Sequence, residues 1–585
     1  MKKLENSQRR STSRASTPCA LRSAAISALA GTALFVSLAA HATVDMKNAN
    51  YTESWLDIQV QTTGYPLKVQ RTYNSRSVFN GIFGFGWCSD FETNLEKTPE
   101  GSIKLTECGA GQEIYFKPES KTADSAKTEV IKKIIAEYKK SNPTASKDII
   151  ANMEAELEDN AEYRARRARL INLPEPQVQT GVTYTSDSLQ IDSITFDGST
   201  YTRSLSDGSS QRFDAQGRLT AIYDKNGNYL RLTYSGPVLR EVADNTGKKL
   251  AFQFYPTKRV KEISGPGGVK ASYKYVGEDL AEVKNMWKNP KGQPNTYTFE
   301  YDDNHNLTKV TYPDRTFKAL TYNKQKDWVT SFQDRSDGKE ICKETYNYET
   351  SKTTPQDHFW SEAEKKCGNE IVNKARFEFW LKKRSDGRRY LSRVMNKSQS
   401  DTVDITYHPE FGRPTSVKKG SNTTAFEYYD NGLIKVKSNA NSKMSFDYNK
   451  QHNKVARVIT EYFDAKGKAA AKRDTTFSYD GKGNLIAAQN SDGQSVRLTY
   501  DARGRIATII DHAKKEVQIK YEEKSGRPAQ ITRPKVGTIM VTYKSNGEIR
   551  NVVSPDGGPT VALQVASTFN NLLDIIAPAT SELNL

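Results

Sequence analysis

Histidine, cysteine and paired carboxylates are the side chains with which this chain could do chemistry, and their spacing assembles no reactive set. Five histidines lie beyond residue 42: His305, His358, His408, His452 and His512. Each falls at the turn or edge of a different segment, without metal-ligand spacing. No Gly-x-Ser-x-Gly elbow, His-Glu-x-x-His helix or phosphate-binding glycine loop occurs in the sequence. These features predict no catalytic residue, no metal site and no cofactor. Two carboxylates suited to glycoside hydrolysis could still meet in space, which spacing alone cannot display.

The cysteines point to a compartment. Cys88, Cys108, Cys342 and Cys367 follow residue 42, an even number for which three pairings are open in an exported chain. Pairing Cys88 with Cys108 and Cys342 with Cys367 closes the smallest loops. Four buried thiols are the alternative. Export itself is read from the N-terminus. Lys2, Lys3, Arg9, Arg10, Arg14 and Arg22 precede an apolar stretch from Ala24 to Ala40, which ends in Ala40-His41-Ala42, a small-x-small cleavage site. Residues 1–42 are therefore expected to be a secretory signal. Ser11-Thr12-Ser13 follow Arg9-Arg10 where a twin-arginine signal carries an apolar residue, which favours the general route. Cleavage removes six basic residues and one acidic, lowering the net charge from +17 to about +12. The remaining charge is diffuse and interleaved with acidic turn residues, a poor footprint for nucleic acid. No later segment has the ~20 consecutive apolar residues that a membrane helix needs.

The elements that must position these residues are short strands. Leu230-Arg231-Leu232-Thr233-Tyr234, Val496-Arg497-Leu498-Thr499-Tyr500, Val517-Gln518-Ile519-Lys520-Tyr521 and Ile539-Met540-Val541-Thr542-Tyr543 share one pattern. Each alternates apolar with mostly polar residues and ends on Tyr, as a strand with one buried face does. A turn signal follows the aromatic residue in Phe213-Asp214-Ala215-Gln216-Gly217-Arg218-Leu219, Tyr479-Asp480-Gly481-Lys482-Gly483-Asn484-Leu485 and Tyr500-Asp501-Ala502-Arg503-Gly504-Arg505-Ile506. The Asp can accept hydrogen bonds from the turn's own amides, and the Gly three residues on supplies the positive φ that closes a hairpin. Asp214, Gly217, Asp480, Gly483, Asp501 and Gly504 are thus assigned to repeat turns. Phe213, Tyr234, Tyr255, Tyr275, Tyr301 and Tyr322 are spaced by 21, 21, 20, 26 and 21 residues, and Tyr479, Tyr500, Tyr521 and Tyr543 by 21, 21 and 22. Two five- or six-residue strands and two turns fill about 20 residues, so each unit is one β-hairpin. Tyr407, Tyr429 and Tyr448 continue the series less strictly.

The Tyr-Asp-x-x-Gly-Arg-Leu/Ile pattern resembles the YD repeats of RHS proteins. Upstream, Gly64-Tyr65-Pro66-Leu67, Arg71-Thr72-Tyr73-Asn74-Ser75-Arg76-Ser77 and Gly84-Phe85-Gly86-Trp87 are similar to the domain that precedes YD repeats in many bacterial members. The resemblance implies a long sheet spiralling into a hollow shell. Toxin-carrying members end that shell with an Asp-Pro-x-Gly-type core motif and an effector domain. Here 32 residues follow Val553, with Ser554-Pro555-Asp556-Gly557-Gly558 but no Asp-Pro. Toxin delivery and self-cleavage are therefore not carried over.

The expected organisation is mainly β: an array of antiparallel β-hairpin repeats forming a YD-repeat spiral sheet or shell, with a helical-hairpin insertion. Its parts are a signal at 1–42, an RHS-like β domain at 43–120, a helical hairpin at 121–171 broken at Asn142-Pro143, the repeat array at 172–553, and a cap with a short helix at 554–585. In the hairpin, Ile131, Ile134, Ile135 and Tyr138 line the first helix and Ile149, Met153 and Leu157 the second. In the cap, Phe569, Leu572, Leu573 and Ile576 share a face. Residues 338–400 read as degenerate hairpins turning at Ser385-Asp386-Gly387. The function this organisation predicts is an exported scaffold or shell for envelope interaction, adhesion or encapsulation, with envelope glycans or another protein as partner. A carbohydrate-binding module and a hydrolase built on the sheet are the alternatives.

Overall fold

The structure, a computed structural model, describes residues 43–107, 112–118, 123–174, 178–186, 191–336, 342–384, 389–544 and 547–580. The signal segment, Cys108 and the Ser385-Asp386-Gly387 turn lie outside these residues.

One antiparallel sheet dominates. It runs from Asn94–Lys97 to Ile549–Asp556, each strand hydrogen-bonded to the next in chain order. Alternation of apolar and polar residues gives it one buried face, as in Tyr229–Ser235, where Leu230 and Leu232 are buried and Arg231 and Thr233 exposed. The sheet already includes Ile103–Glu107 and Gln112–Pro118, and Gln112–Pro118 pairs with Thr183–Ser186 across the helical insertion. The helices are therefore looped out between two paired strands.

A β-bulge marks nearly every strand-ending aromatic residue. The register shifts between Arg212 and Phe213, Thr233 and Tyr234, Thr499 and Tyr500, and Lys520 and Tyr521. This follows from the turn: a type I turn followed by Gly at positive φ leaves one extra residue on one strand. Two tyrosines of the series are displaced by one. Phe254 and Tyr428 occupy the bulge, so Tyr255 and Tyr429 stand in the turn position that Asp holds elsewhere. Spacing alone cannot separate adjacent aromatic residues.

A small second sheet of Thr43–Asp45, Asn50–Val60, Leu67–Asn74 and Trp87–Ser89 packs its Tyr51, Trp55, Ile58, Val69 and Trp87 against the buried face of the first half of the array. The last strands are covered by a helix, Gly558–Thr580, which buries Val561, Val565, Phe569, Leu572 and Ile575 against them. This helix is longer than expected, and Leu573 points outward while Ile575 takes its place inside. The apolar face begins at Val561, about two turns before the expected Phe569. The insertion comprises Ala123–Ser141, Lys147–Asp159 and Ala161–Leu170. Its second arm is divided at Asn160, whose side chain caps the next helix through the Tyr163 amide. Ile149 is exposed, and Ile150 packs instead. Residues 342–398 hold the longest strand, the 14-residue Glu370–Lys383, paired on both sides within the sheet.

Candidate functional site

The repeat turns show what each residue of the motif does. Asp501 Oδ1 accepts the amides of Arg503 and Arg505, both at 3.0 Å, while Oδ2 accepts Arg505 Nε at 2.7 Å. The Gly504 amide donates to the Asp501 carbonyl, with Gly504 at φ +79°. The Arg505 guanidinium lies 4.3 Å from the ring centre of Tyr521, whose hydroxyl donates to the Ile506 carbonyl at 2.7 Å. Asp214, Gly217 (φ +81°), Arg218, Leu219 and Tyr234 repeat this arrangement 287 residues earlier in the chain. In the third copy Asn484 replaces Arg, donating its Nδ2 to Asp480 Oδ2 at 3.0 Å, and Gly483 sits at φ +76°. Asp folds the turn, Gly closes it, Arg or Asn braces the Asp, and the next repeat's Tyr is clasped by the residues that follow.

The same clasp joins Tyr322 to Leu307, Tyr500 to Leu485 and Tyr543 to Pro528. Replacing Tyr521 with Phe should therefore destabilise the array by about 1 kcal/mol, since a part-buried carbonyl loses its donor. Denaturant titration of the two proteins measures this. An unchanged midpoint would mean that the ring, not the hydroxyl, does the holding.

The N-terminal sheet has a buried polar centre. Asp57 is the bulged residue between Leu56 and Ile58, and the bulge turns it onto Arg71, with Nε–Oδ2 at 2.5 Å and Nη2–Oδ1 at 3.2 Å. Both side chains are essentially inaccessible. The Tyr273 hydroxyl, from the array, donates to Asp57 Oδ2 at 3.0 Å. Trp87, Phe299 and Trp55 surround the guanidinium at 4.5, 5.3 and 5.7 Å. The charge pair lies within this N-terminal sheet, the plug, and Tyr273 and Phe299 tie it to the array.

A cavity of about 380 Å³ is lined by Phe79, Ile82, Leu219, Tyr234 and Phe254, with Glu92 at its wall. Glu92 accepts the amides of Ile82 (2.6 Å) and Ser89 (2.9 Å). Burial pushes its carboxyl up to about 7. A carboxyl raised in the folded state binds protons that the unfolded chain has released, so its contribution is full below about pH 4.5 and is lost as pH rises through 7. The stability difference between wild type and Glu92→Gln should therefore shift by about 2 kcal/mol toward the variant from pH 5 to pH 8. Parallel pH profiles for the two proteins would count against this.

The histidines are not brought together. His305 Nδ1 lies 3.0 Å from Asp279, and His358 Nε2 lies 2.7 Å from Glu378 with its ring stacked on Trp380. His408 stacks on Phe411, and His512 is exposed. No group of three or more potential ligands is placed to hold a metal among the described residues. Cys342 and Cys367 face each other across paired strands in a disulfide. Cys88 is also disulfide-bonded.

Sequence reasoning missed Asp57, whose only signal was a lone acid in the apolar strand Trp55-Leu56-Asp57-Ile58. It also could not show that hairpin tips from opposite ends of the array meet. Asn484 Nδ2 donates to Asn226 Oδ1 at 2.9 Å, Asn228 Nδ2 to the Arg503 carbonyl at 3.1 Å, and Lys248 Nζ to the Lys524 carbonyl at 3.0 Å. Arg503 also reaches the Thr63 carbonyl of the plug. These contacts form a seam where the spiral returns on itself.

The Teneurin YD-shell family model matches residues 458–584, and the model of a domain of unknown function, DUF6531, matches residues 41–116. No curated protein matches the sequence. Among solved structures, the chain is similar to one in the crystal structure of TcdB2-TccC3-Cdc42, with 10% identity and a TM-score of 0.38 over 86% of this chain and 29% of that one. For TcdB2-TccC3 the values are 11%, 0.35, 89% and 32%. For the Photorhabdus luminescens Tc holotoxin pore they are 9%, 0.17, 87% and 38%. The chain thus spans less than two fifths of the length of these chains. Family models matching at both ends, with the turn chemistry repeated between them, support an RHS/YD-repeat protein.

Proposed function

We propose that the protein is an exported, non-catalytic scaffold that works at the cell envelope through the outer surface of its shell. The observation that carries this reading is the filling of the buried face from within. The N-terminal sheet covers the first half of the array, and the helix Gly558–Thr580 covers the last strands. A shell filled by its own chain at both ends is better suited to presenting a surface than to enclosing a large cargo. The motif residues support a structural role as well, because the turns and clasps between repeats occupy them. No helix among the described residues is long and apolar enough to cross a membrane.

The carbohydrate-binding alternative draws little support from the aromatic residues. The hydroxyls of Tyr234, Tyr500, Tyr521 and Tyr543 are engaged with carbonyls. Trp360 is covered by Arg376 at 4.5 Å, and Trp380 by Arg393 at 4.6 Å and by His358. A ring face held by a cation or by another ring is not open to a sugar.

The test has two parts. The mature protein should begin at or near Thr43, and it should show no turnover of peptidoglycan, polysaccharide, peptide or nucleic acid. Turnover abolished by replacing one Asp, Glu, Ser or His would overturn the scaffold reading. Stoichiometric glycan binding without turnover would favour the carbohydrate-binding alternative.

A further inference from the structure

At the seam, two lysines from distant hairpins converge on one neutral oxygen. Lys225 Nζ lies 3.1 Å and Lys454 Nζ 3.0 Å from the carbonyl oxygen of Gly483, so the two ammonium groups are within about 6 Å of each other. Lys225 belongs to the early turn Asp224–Asn228, Gly483 to the late turn Asp480–Asn484, and Lys454 follows the turn at Asn449–Asn453. The His452 ring sits in the same corner, 3.3 Å from where a β-carbon on Gly483 would stand. Its Nε2 is enclosed and finds no hydrogen-bond partner among the described residues.

Asp480 and Asp207 act on Lys225 from nearby, but the charge of this corner is only partly compensated. A carbonyl can accept from two donors, but it neutralises neither. The nearby carboxylates are engaged elsewhere. Asp480 takes the amides of Lys482 and Asn484 and the Asn484 side chain, and Asp224 takes the equivalent groups of Asn226 and Asn228. Asp207 is occupied by the Ser209 amide and hydroxyl. Burial and the adjacent Lys454 press the Lys225 pKa down to about 8 against the opposing pull of Asp480 and Asp207. Each ammonium has three donors, and only one of each is directed at Gly483.

We propose that this corner is a binding site for an oxyanion of the phosphate class, held between Lys225 Nζ and Lys454 Nζ. The anion bridges an early and a late turn of the spiral and locks the seam, so it binds the closed fold and not the unfolded chain. Lysine serves here as a compact point charge, which is how it commonly binds phosphate.

The test uses the mature chain with inorganic phosphate as probe, against sodium chloride at matched ionic strength. Phosphate should raise the thermal midpoint saturably above the chloride value, and calorimetry should give about one site per chain. Lys225→Gln and Lys454→Gln should each weaken phosphate binding about tenfold or more. Both should fold, because each removes a repulsion. Lys225→Arg keeps the charge and should retain binding. Lys482→Met, in the same turn but outside the corner, should bind phosphate as the wild type does. Equal midpoints in phosphate and chloride, or a phosphate effect that survives both glutamine variants, would overturn the proposal.

Discussion

Replacing Arg71 with leucine is expected to cost about 3–5 kcal/mol, a large share of what holds a domain folded. The size follows from what remains. Asp57 would keep its place in the bulge with its oxygens out of reach of water, and only the Tyr273 hydroxyl would still face it. Burial already pushes the Asp57 carboxyl up despite Arg71 beside it. Without the guanidinium, the group would have to take up a proton or drag water into the core. Trp87, Phe299 and Trp55 would also lose the cation they enclose. The double variant Arg71→Leu/Asp57→Leu should be markedly less destabilised than the sum of the two single variants, because a buried pair removed whole leaves no orphan charge. Denaturant midpoints of the four proteins give the coupling. Additive losses would show that the pair does not act as a unit.

The second large effect is expected at Gly217. An added β-carbon there would stand 2.0 Å from the Leu95 carbonyl oxygen, and the Leu95 amide donates to the Gly217 carbonyl at 2.8 Å. Gly217→Ala therefore adds backbone strain of about 1–2 kcal/mol to an overpacking cost of about 1–3 kcal/mol. Two other glycines serve as controls. Gly227 has φ +90° but nothing within 4 Å, so its alanine variant should show the strain alone. Gly504 would meet the Asn226 side chain, which can shift but is tied to Asn484 across the seam, so its cost should fall between the two. Thermal or denaturant midpoints should rank the losses 217, 504, 227. Equal losses at 217 and 227 would mean that the turn does not dock on Leu95.

The hairpin array was legible in the sequence because its determinants are local. Alternation sets the strand faces, and the Asp and Gly of each turn act within five residues of each other. The bulge at each aromatic residue was implicit in the turn, but adjacent pairs such as Phe254-Tyr255 and Tyr428-Tyr429 defeat a reading by spacing. Helix phase was read well where apolar residues crowd, at Ile131, Ile134 and Ile135, and poorly at the adjacent pairs Ile149-Ile150 and Leu572-Leu573, where a shift of one residue changes the face. The polar centre and the seam were illegible for a different reason. Asp57 meets Tyr273 across 216 residues, and Lys225 meets Gly483 across 258. Nothing in the local pattern of either segment refers to the other.

The central claim, that the array closes on itself with early turns seated on late ones, is tested most directly by lysine cross-linking of the monomeric mature protein followed by peptide mass spectrometry. A short amine-reactive linker should join Lys225 to Lys454 and Lys248 to Lys524, with yields independent of protein concentration. Cross-links within neighbouring hairpins, such as Lys309 to Lys318, serve as the internal reference. Recovery of the local cross-links with neither seam cross-link present would show an open array and contradict the account.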